Sequence, residues 1–153
     1  MIGLAALLPV LIYLAGIAAS ILLGVFVPLP WIGPPLADIL FAAGLLIIVA
    51  VIAIHVSALR GMARAGAVLL KGKAADQLVT TGAFAITRNP MYLANALLLV
   101  AGGLVDGNLW FLLAALLATL LVQLLAVKPE EKQLEARFGK RYRDYAKRVR
   151  RWI

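Results

Sequence analysis

Residues 87–99 read TRNPMYLANALLL, so Arg88, Asn89 and Pro90 stand directly against an apolar helix. A second polar group, Pro129-Glu130-Glu131, follows another apolar run. Asn95 lies five residues past Pro90 and Gln123 five residues before Lys128, which puts the two at similar membrane depth. Tyr92 and Asn95 are three apart and share a helix face; Gln123 and Glu130, seven apart, share one too if the helix continues through Pro129. Strongly polar groups inside membrane segments are functional candidates by default. The plain alternative for Asn95 and Gln123 is an interhelical hydrogen bond, of about 1 kcal/mol. His55, near the end of the second apolar run with Ser57, reads first as a packing residue. None of this accounts for Arg88, Asn89, Glu130 and Glu131, which flank one hairpin. With Tyr92 they predict a polar cavity at the inner membrane interface. Pro90 fits a first helical position, and the free N–H groups of that turn suit an anionic ligand group. With one His, seven acids and no Cys, no clustered metal site is expected.

These residues must be positioned by membrane helices. The chain has 153 residues, 64% of them hydrophobic, and a mean hydropathy of +1.00. That composition belongs to the membrane class. The runs 3–27, 36–59 and 109–127 are long enough to cross a bilayer core, which takes roughly 20 residues. The run 92–105 has only 14 residues, so either the bilayer thins or the turn before it sits below the headgroups. Irregular backbone at that depth is tolerated where protein buries it or where it lines a cavity. The first run lacks a signal peptide's basic start and cleavage site and reads as a retained helix.

The linkers separate by charge. VPLPWIGPP carries none, Asp106-Gly107-Asn108 carries one acid, and all fifteen Lys and Arg lie in 60–88 or after Val127. The positive-inside rule places both termini in the cytoplasm, with Trp31 and Trp110 at the outer boundary; the membrane expected is a bacterial or archaeal plasma membrane. The net charge of +8 is thereby a topology signal, and no nucleic-acid partner is expected. The segment 28–35 reads as a tight outer hairpin between helices one and two, and Asp106-Gly107-Asn108 as another between three and four. The thirty residues 60–89 contain AGAVLL and LVTTGAFAI, too apolar for a free linker, and are expected to pack on the cytoplasmic mouth. The tail 128–153 places Leu134, Phe138, Tyr142, Tyr145, Val149 and Trp152 at helical spacings, predicting an amphipathic interfacial or capping helix. The fold expected is all-α and integral to the membrane. It has about four transmembrane helices, a short third one in a hairpin, and a C-terminal amphipathic helix. One domain, 1–153, comprises two N-terminal spans (1–59) and a core (60–153).

The stretch LVTTGAFAITRNPMYLANALLLVAGG, followed by PEEKQLEARFGKRYRDYAKRVRRWI, resembles the isoprenylcysteine carboxyl methyltransferase family, related to the phospholipid methyltransferases. The match rests on Leu78-Val79-Thr80, Gly82, Phe84, Arg88-Asn89-Pro90, Tyr92, Glu130-Glu131, Leu134, Phe138-Gly139, Tyr142, Tyr145 and Val149, in order and at fitting spacing. The resemblance implies S-adenosylmethionine as cofactor, bound at the cytosolic end of the bundle. By resemblance its contacts are Gln77, Leu78, Val79, Phe84, Asn89, Pro90, Met91, Tyr92 and Glu130. Arg88 and Glu131 are the catalytic candidates that organise the pocket, Glu131 serving as base if the acceptor is an amine. Asn95, Gln123 and His55 are candidates for the acceptor side.

Two positions depart from the family's prenylcysteine enzymes: Asn89 stands where they carry His, and Ala126 where they carry an Arg that meets the substrate carboxylate. Both point away from a prenylcysteine and leave the cofactor set intact. The acceptor expected is a lipid-like or apolar small molecule entering from the bilayer. The alternatives are an NADPH-dependent membrane reductase of similar topology and a non-catalytic small membrane subunit.

Overall fold

A computed structural model describes residues 4–66 and 77–153, with side chains from residue 7. Among these residues every regular element is helical: α1 (Leu4–Phe26), α2 (Leu36–Arg64), a 3-10 turn (Gly82–Ala85), α3 (Pro90–Asp106), α4 (Leu109–Val122), a π-helical turn (Gln123–Val127), α5 (Lys128–Phe138) and α6 (Lys140–Arg148). Three helical stretches are long and apolar enough to cross a membrane, Leu7–Phe26, Leu36–Arg64 and Leu109–Phe138, and Pro90–Asp106 is a shorter apolar helix. The outward faces are apolar: Val25 is 70% exposed, Leu46 72% and Phe26 77%. The interior holds Ala94, Ala101 and Leu99 together with polar Ser20 and Thr87. This is the arrangement of a chain whose solvent is lipid, where helices associate through close packing of small residues.

The α3–α4 hairpin is the centre of the bundle. α2 packs along α3, and α1 packs along α4 and the near edge of α3. Gly44 permits the α2–α3 approach, because a Cβ there would lie 2.7 Å from Val105 Cγ2 and 3.2 Å from the Ala101 carbonyl. The expected hairpin between helices one and two is therefore corrected: the two flank the α3–α4 pair, and their linker crosses its end. Trp110 Nε1 donates to the Val27 carbonyl at 2.8 Å, and the Trp31 ring lies against Gly107. Gly107, at φ +66°, ends α3 in the left-handed conformation that glycine adopts without penalty. Asn108 then caps α4, its Oδ1 accepting from Trp110 N–H at 3.0 Å and its Nδ2 donating to the Ser20 carbonyl at 3.1 Å.

Three further expectations change in detail. α2 runs beyond Leu59 to Arg64, so the segment 60–89 begins as helix; residues 67–76 of it lie outside the described residues. The helix from Leu109 does continue through Pro129, by way of the π turn. A proline ring clashes with the carbonyl four residues earlier and lacks the N–H that would bond it, and a widened turn relieves both. The same turn shifts the helical phase, so Gln123 and Glu130 find different partners. The tail is not one helix to its end. Gly139 at φ +53° separates α5 from α6, and from Val149 (φ −118°, ψ 127°) the chain is extended.

Candidate functional site

The turn into α3 is built with the C-terminal segment. Arg88 N–H donates to the Arg150 carbonyl at 3.0 Å. Thr87 Oγ1 and Asn89 Nδ2 both donate to the Arg151 carbonyl, at 3.0 and 2.9 Å. Thr87 Oγ1 also accepts from Asn89 N–H at 3.2 Å. Thr87, Asn89 and Pro90 are buried, so this irregular backbone meets its hydrogen-bonding needs from the protein itself. Pro90 sits at the start of α3, as its missing N–H allows, and Met91 is half-buried beside it.

Side chains close around Glu131. Arg151 grips its carboxylate with Nε–Oε1 at 3.0 Å and Nη2–Oε2 at 2.7 Å, a bidentate fork. Arg88 Nη1 lies 3.4 Å from Oε1 and donates to Tyr142 Oη at 3.4 Å. Hydrogen bonding to Glu131 raises the Arg151 pKa. Burial, reinforced by the Glu131 charge and opposed by Arg88, raises that of Tyr142. The Arg88 Nε atom is buried without an acceptor among the described residues.

Glu130 is arranged differently from its neighbour. Its Oε2 accepts from Tyr92 Oη at 3.0 Å and the residue is otherwise exposed. Tyr92 is held in turn from α1, because Tyr13, only 4% exposed, donates its hydroxyl to the Tyr92 carbonyl at 3.0 Å. The pair thus divides: Glu131 is committed to two guanidiniums, while Glu130 holds one phenol.

Another wall comes from the segment before α3. Gln77, exposed, and Leu78, half-buried, lead to Val79 and Phe84, which pack on α2 at Gly61. A Cβ at Gly61 would lie 3.1 Å from Val79 Cγ1 and 3.8 Å from the Phe84 ring. Ala83 N–H donates to Ser57 Oγ at 3.0 Å, and Tyr145 Oη donates to the Phe84 carbonyl at 2.6 Å. Burial pushes the Tyr145 phenol up to about 12 against the opposing charge of Arg88.

The Asn95–Gln123 bond that was the plain alternative for these two residues does not form, and each has another partner. Asn95 Oδ1 pairs with His55 Nε2 at 3.1 Å across the α2–α3 seam, while His55 Nδ1 meets its own helix at the Val51 carbonyl. Gln123 Oε1 accepts from Trp152 Nε1 at 2.6 Å. The physical reason is packing: α2 lies along α3, and the returning C-terminus reaches α4 first.

Three residues absent from the expected site are therefore central to it. Tyr13 left a signal, a phenol inside an apolar run. Trp152 showed only helical spacing, and Arg151 is one of many bases in a basic tail. Among the described residues no group of acidic, His or Cys side chains could hold a metal ion.

Comparison with known proteins adds two findings. A family model described as phospholipid methyltransferase matches residues 39–141. An uncharacterized protein of Haemophilus influenzae is 38% identical over 63 residues, which are 41% of this chain and all of that protein. No solved structure matches.

Proposed function

Because the chain belongs to the phospholipid methyltransferase family, integral membrane methyltransferases related to the isoprenylcysteine carboxyl methyltransferases, we propose that it methylates a lipid-like or apolar acceptor, with S-adenosylmethionine as donor. The observation that carries this reading is the unequal pair Glu130 and Glu131. A cationic cofactor needs a carboxylate that internal cations do not already saturate. Among the described residues Glu130 meets that need, with Tyr92 fixing its orientation. The donor set therefore fits the group.

When bound, S-adenosylmethionine supplies a methyl group on a positively charged sulfur, the leaving group of an in-line displacement. The protein's share is binding, orientation and exclusion of water. Glu130 offers charge to the cofactor's cationic groups, more strongly at a water-poor interface. Leu78, Val79 and Phe84 offer an apolar wall, held to α2 at Gly61, with Gln77 at its edge. The turn Asn89-Pro90-Met91, its Asn89 N–H and side chain taken by Thr87 and Arg151 and not left free for an anionic group, positions the start of α3 and with it Tyr92. Glu131 and Arg88 organise that segment, which lets the reacting groups meet within the short range that displacement requires.

The acceptor side is assigned to the α2–α3 seam at His55 and Asn95 and to Gln123 with Trp152. An acceptor from the bilayer reaches these through the lipid-exposed helices. A carboxylate or thiolate acceptor arrives without a proton to lose and needs no base. The clustering of basic residues supports a topology with both termini on the cytoplasmic side, and the reading takes the four apolar helices as spans.

The test is calorimetry of the purified protein in detergent, with S-adenosylhomocysteine and NADPH as separate ligands. Micromolar binding of S-adenosylhomocysteine, weakened at least tenfold in Glu130→Gln, is expected. Binding of NADPH alone would identify a reductase. Binding of neither would identify a subunit that keeps the motif as structure.

A further inference from the structure

Beyond the proposed cofactor set, the end of the bundle carries a second concave feature. A cavity of about 480 Å³ lies between α5, α6 and the Arg88 turn. That is within the roughly 300–1,000 Å³ typical of small-ligand sites. Its cationic lining is Arg88, Lys128, Lys132, Arg143, Lys147 and Arg151. The carboxylates facing them are Glu131 and Glu135, so six positive charges meet two negative ones, a balance of +4.

The spacing is orderly. Lys128 and Lys132 are four apart on α5, and Arg143 and Lys147 are four apart on α6, so each helix presents one cationic edge. Arg88 and Arg151 join the two edges across Glu131. Glu131 is taken by those two arginines, and Glu135 by Arg143 at 3.6 Å. Lys128, Lys132 and Lys147 have no carboxylate within ion-pair distance among the described residues. The buried Nε–H of Arg88, also without an acceptor there, adds a further donor in excess.

We propose that this groove binds the phosphate group of an anionic lipid headgroup. A phosphate offers the acceptor oxygens and negative charge that the lining lacks. The lipid source follows from position. Lys128 comes directly after the apolar helix, and Leu124 and Leu125, one turn earlier, are 54% and 51% exposed. The groove thereby meets the membrane surface where acyl chains end and headgroups begin. Basic residues just beyond a membrane helix are attracted to anionic lipids in this way. The site would hold α5 and α6 against the membrane while leaving Glu130 and Tyr92 to the cofactor.

The test uses the full chain in a neutral detergent, titrated with short-chain phosphatidylglycerol, short-chain phosphatidylcholine and inorganic phosphate. Binding is followed by native mass spectrometry and calorimetry. Phosphatidylglycerol is expected to bind at least tenfold tighter than phosphatidylcholine. The triple variant Lys128→Gln, Lys132→Gln, Lys147→Gln is expected to lose at least tenfold in that affinity. A control triple, Lys140→Gln, Arg141→Gln, Arg148→Gln, removes the same charge from exposed positions outside the groove and is expected to change it less than twofold. Equal losses in the two triples would reduce the effect to net charge and overturn the site. Inorganic phosphate binding as tightly as phosphatidylglycerol would overturn the lipid source. S-adenosylhomocysteine affinity, measured on the same samples, separates failure of this site from failure of the methyltransferase reading.

Discussion

Arg151 binds Glu131 through its guanidinium, at 3.0 and 2.7 Å, while its own carbonyl accepts from Thr87 and Asn89. One residue near the C-terminus thus fixes both polar groups that flank the α3–α4 hairpin, the Arg-Asn-Pro turn and the Glu pair. Trp152, next in sequence, adds a third attachment at Gln123. The extended C-terminal segment is in this sense part of the site, although it follows the last helix.

Arg151→Lys tests the fork. Lysine keeps the charge but offers no planar pair of donors. Because Arg151 is about one-third exposed, the loss is discounted for solvent screening to about 1 kcal/mol. That corresponds to a fall in melting temperature of roughly 2–4 °C for a chain of this size, read from tryptophan fluorescence in detergent. Affinity for S-adenosylhomocysteine should fall several-fold as Glu131 and the turn lose their register. A variant with the lower melting temperature but full affinity would show that the fork stabilises without positioning.

The Trp152–Gln123 contact is best read by a double-mutant cycle. Trp152→Phe removes the indole donor and Gln123→Leu the acceptor of the 2.6 Å bond. Each single change leaves a half-buried polar group without its partner, at about 1–3 kcal/mol. The double variant should therefore be less destabilised than the sum, with a coupling of about 1 kcal/mol. Additive melting shifts would mean that the bond carries no net energy.

Much of this was legible in the sequence for a simple reason. A bilayer imposes a length and an apolarity on every span, so the long helices and the short third one stand out as composition. The Arg88, Tyr92 and Glu130-Glu131 group is legible for the converse reason, since polar groups at a lipid boundary are few. Pairing was not legible. Glu131 could have met any of the tail's bases, and only the break at Gly139 brings Arg151 back to it. The placement of α1 against α4, away from α2, depends on small-residue contacts such as Gly16, where a Cβ would lie 3.6 Å from Ala114 Cβ, that leave no periodic signature. The exchange of an Asn95–Gln123 bond for His55–Asn95 and Trp152–Gln123 follows from that placement.

Tyr145 makes a pH prediction. Its folded pKa, pushed up by burial to about 12, lies above the ordinary tyrosine value of 10.0. The folded form therefore holds the phenolic proton more tightly than the unfolded form does. The stability this contributes is complete below pH 10.0 and is lost as pH rises towards about 12. Lysines and the other tyrosines titrate nearby, so the comparison is with Tyr145→Phe. That variant should be about 1 kcal/mol less stable at neutral pH, through loss of the hydrogen bond to Phe84. Its stability should decline less than the parent's across the alkaline window. Parallel declines in melting curves would place the alkaline sensitivity elsewhere.

Gly82 holds the apolar wall to α2, and replacing it should separate binding from overall stability. Its φ of +63° lies in the left-handed region, where a Cβ adds strain of order 1 kcal/mol. The added Cβ would also lie 2.8 Å from Ser57 Oγ, the atom that accepts from Ala83 N–H at 3.0 Å. Gly82→Ala must therefore shift the 3-10 turn or break that bond. Either outcome displaces Phe84, two residues on, from its seat near Gly61. The two contributions together should destabilise the protein by about 1–3 kcal/mol. The long helices pack without this turn, so helical circular dichroism should change little. S-adenosylhomocysteine binding should weaken at least tenfold, because the wall moves while Glu130 stays in place. Ser57→Ala provides the comparison: it removes the hydroxyl acceptor without backbone strain and should produce a smaller loss of the same kind. If Gly82→Ala binds as tightly as the parent, Phe84 and its turn lie outside the cofactor site.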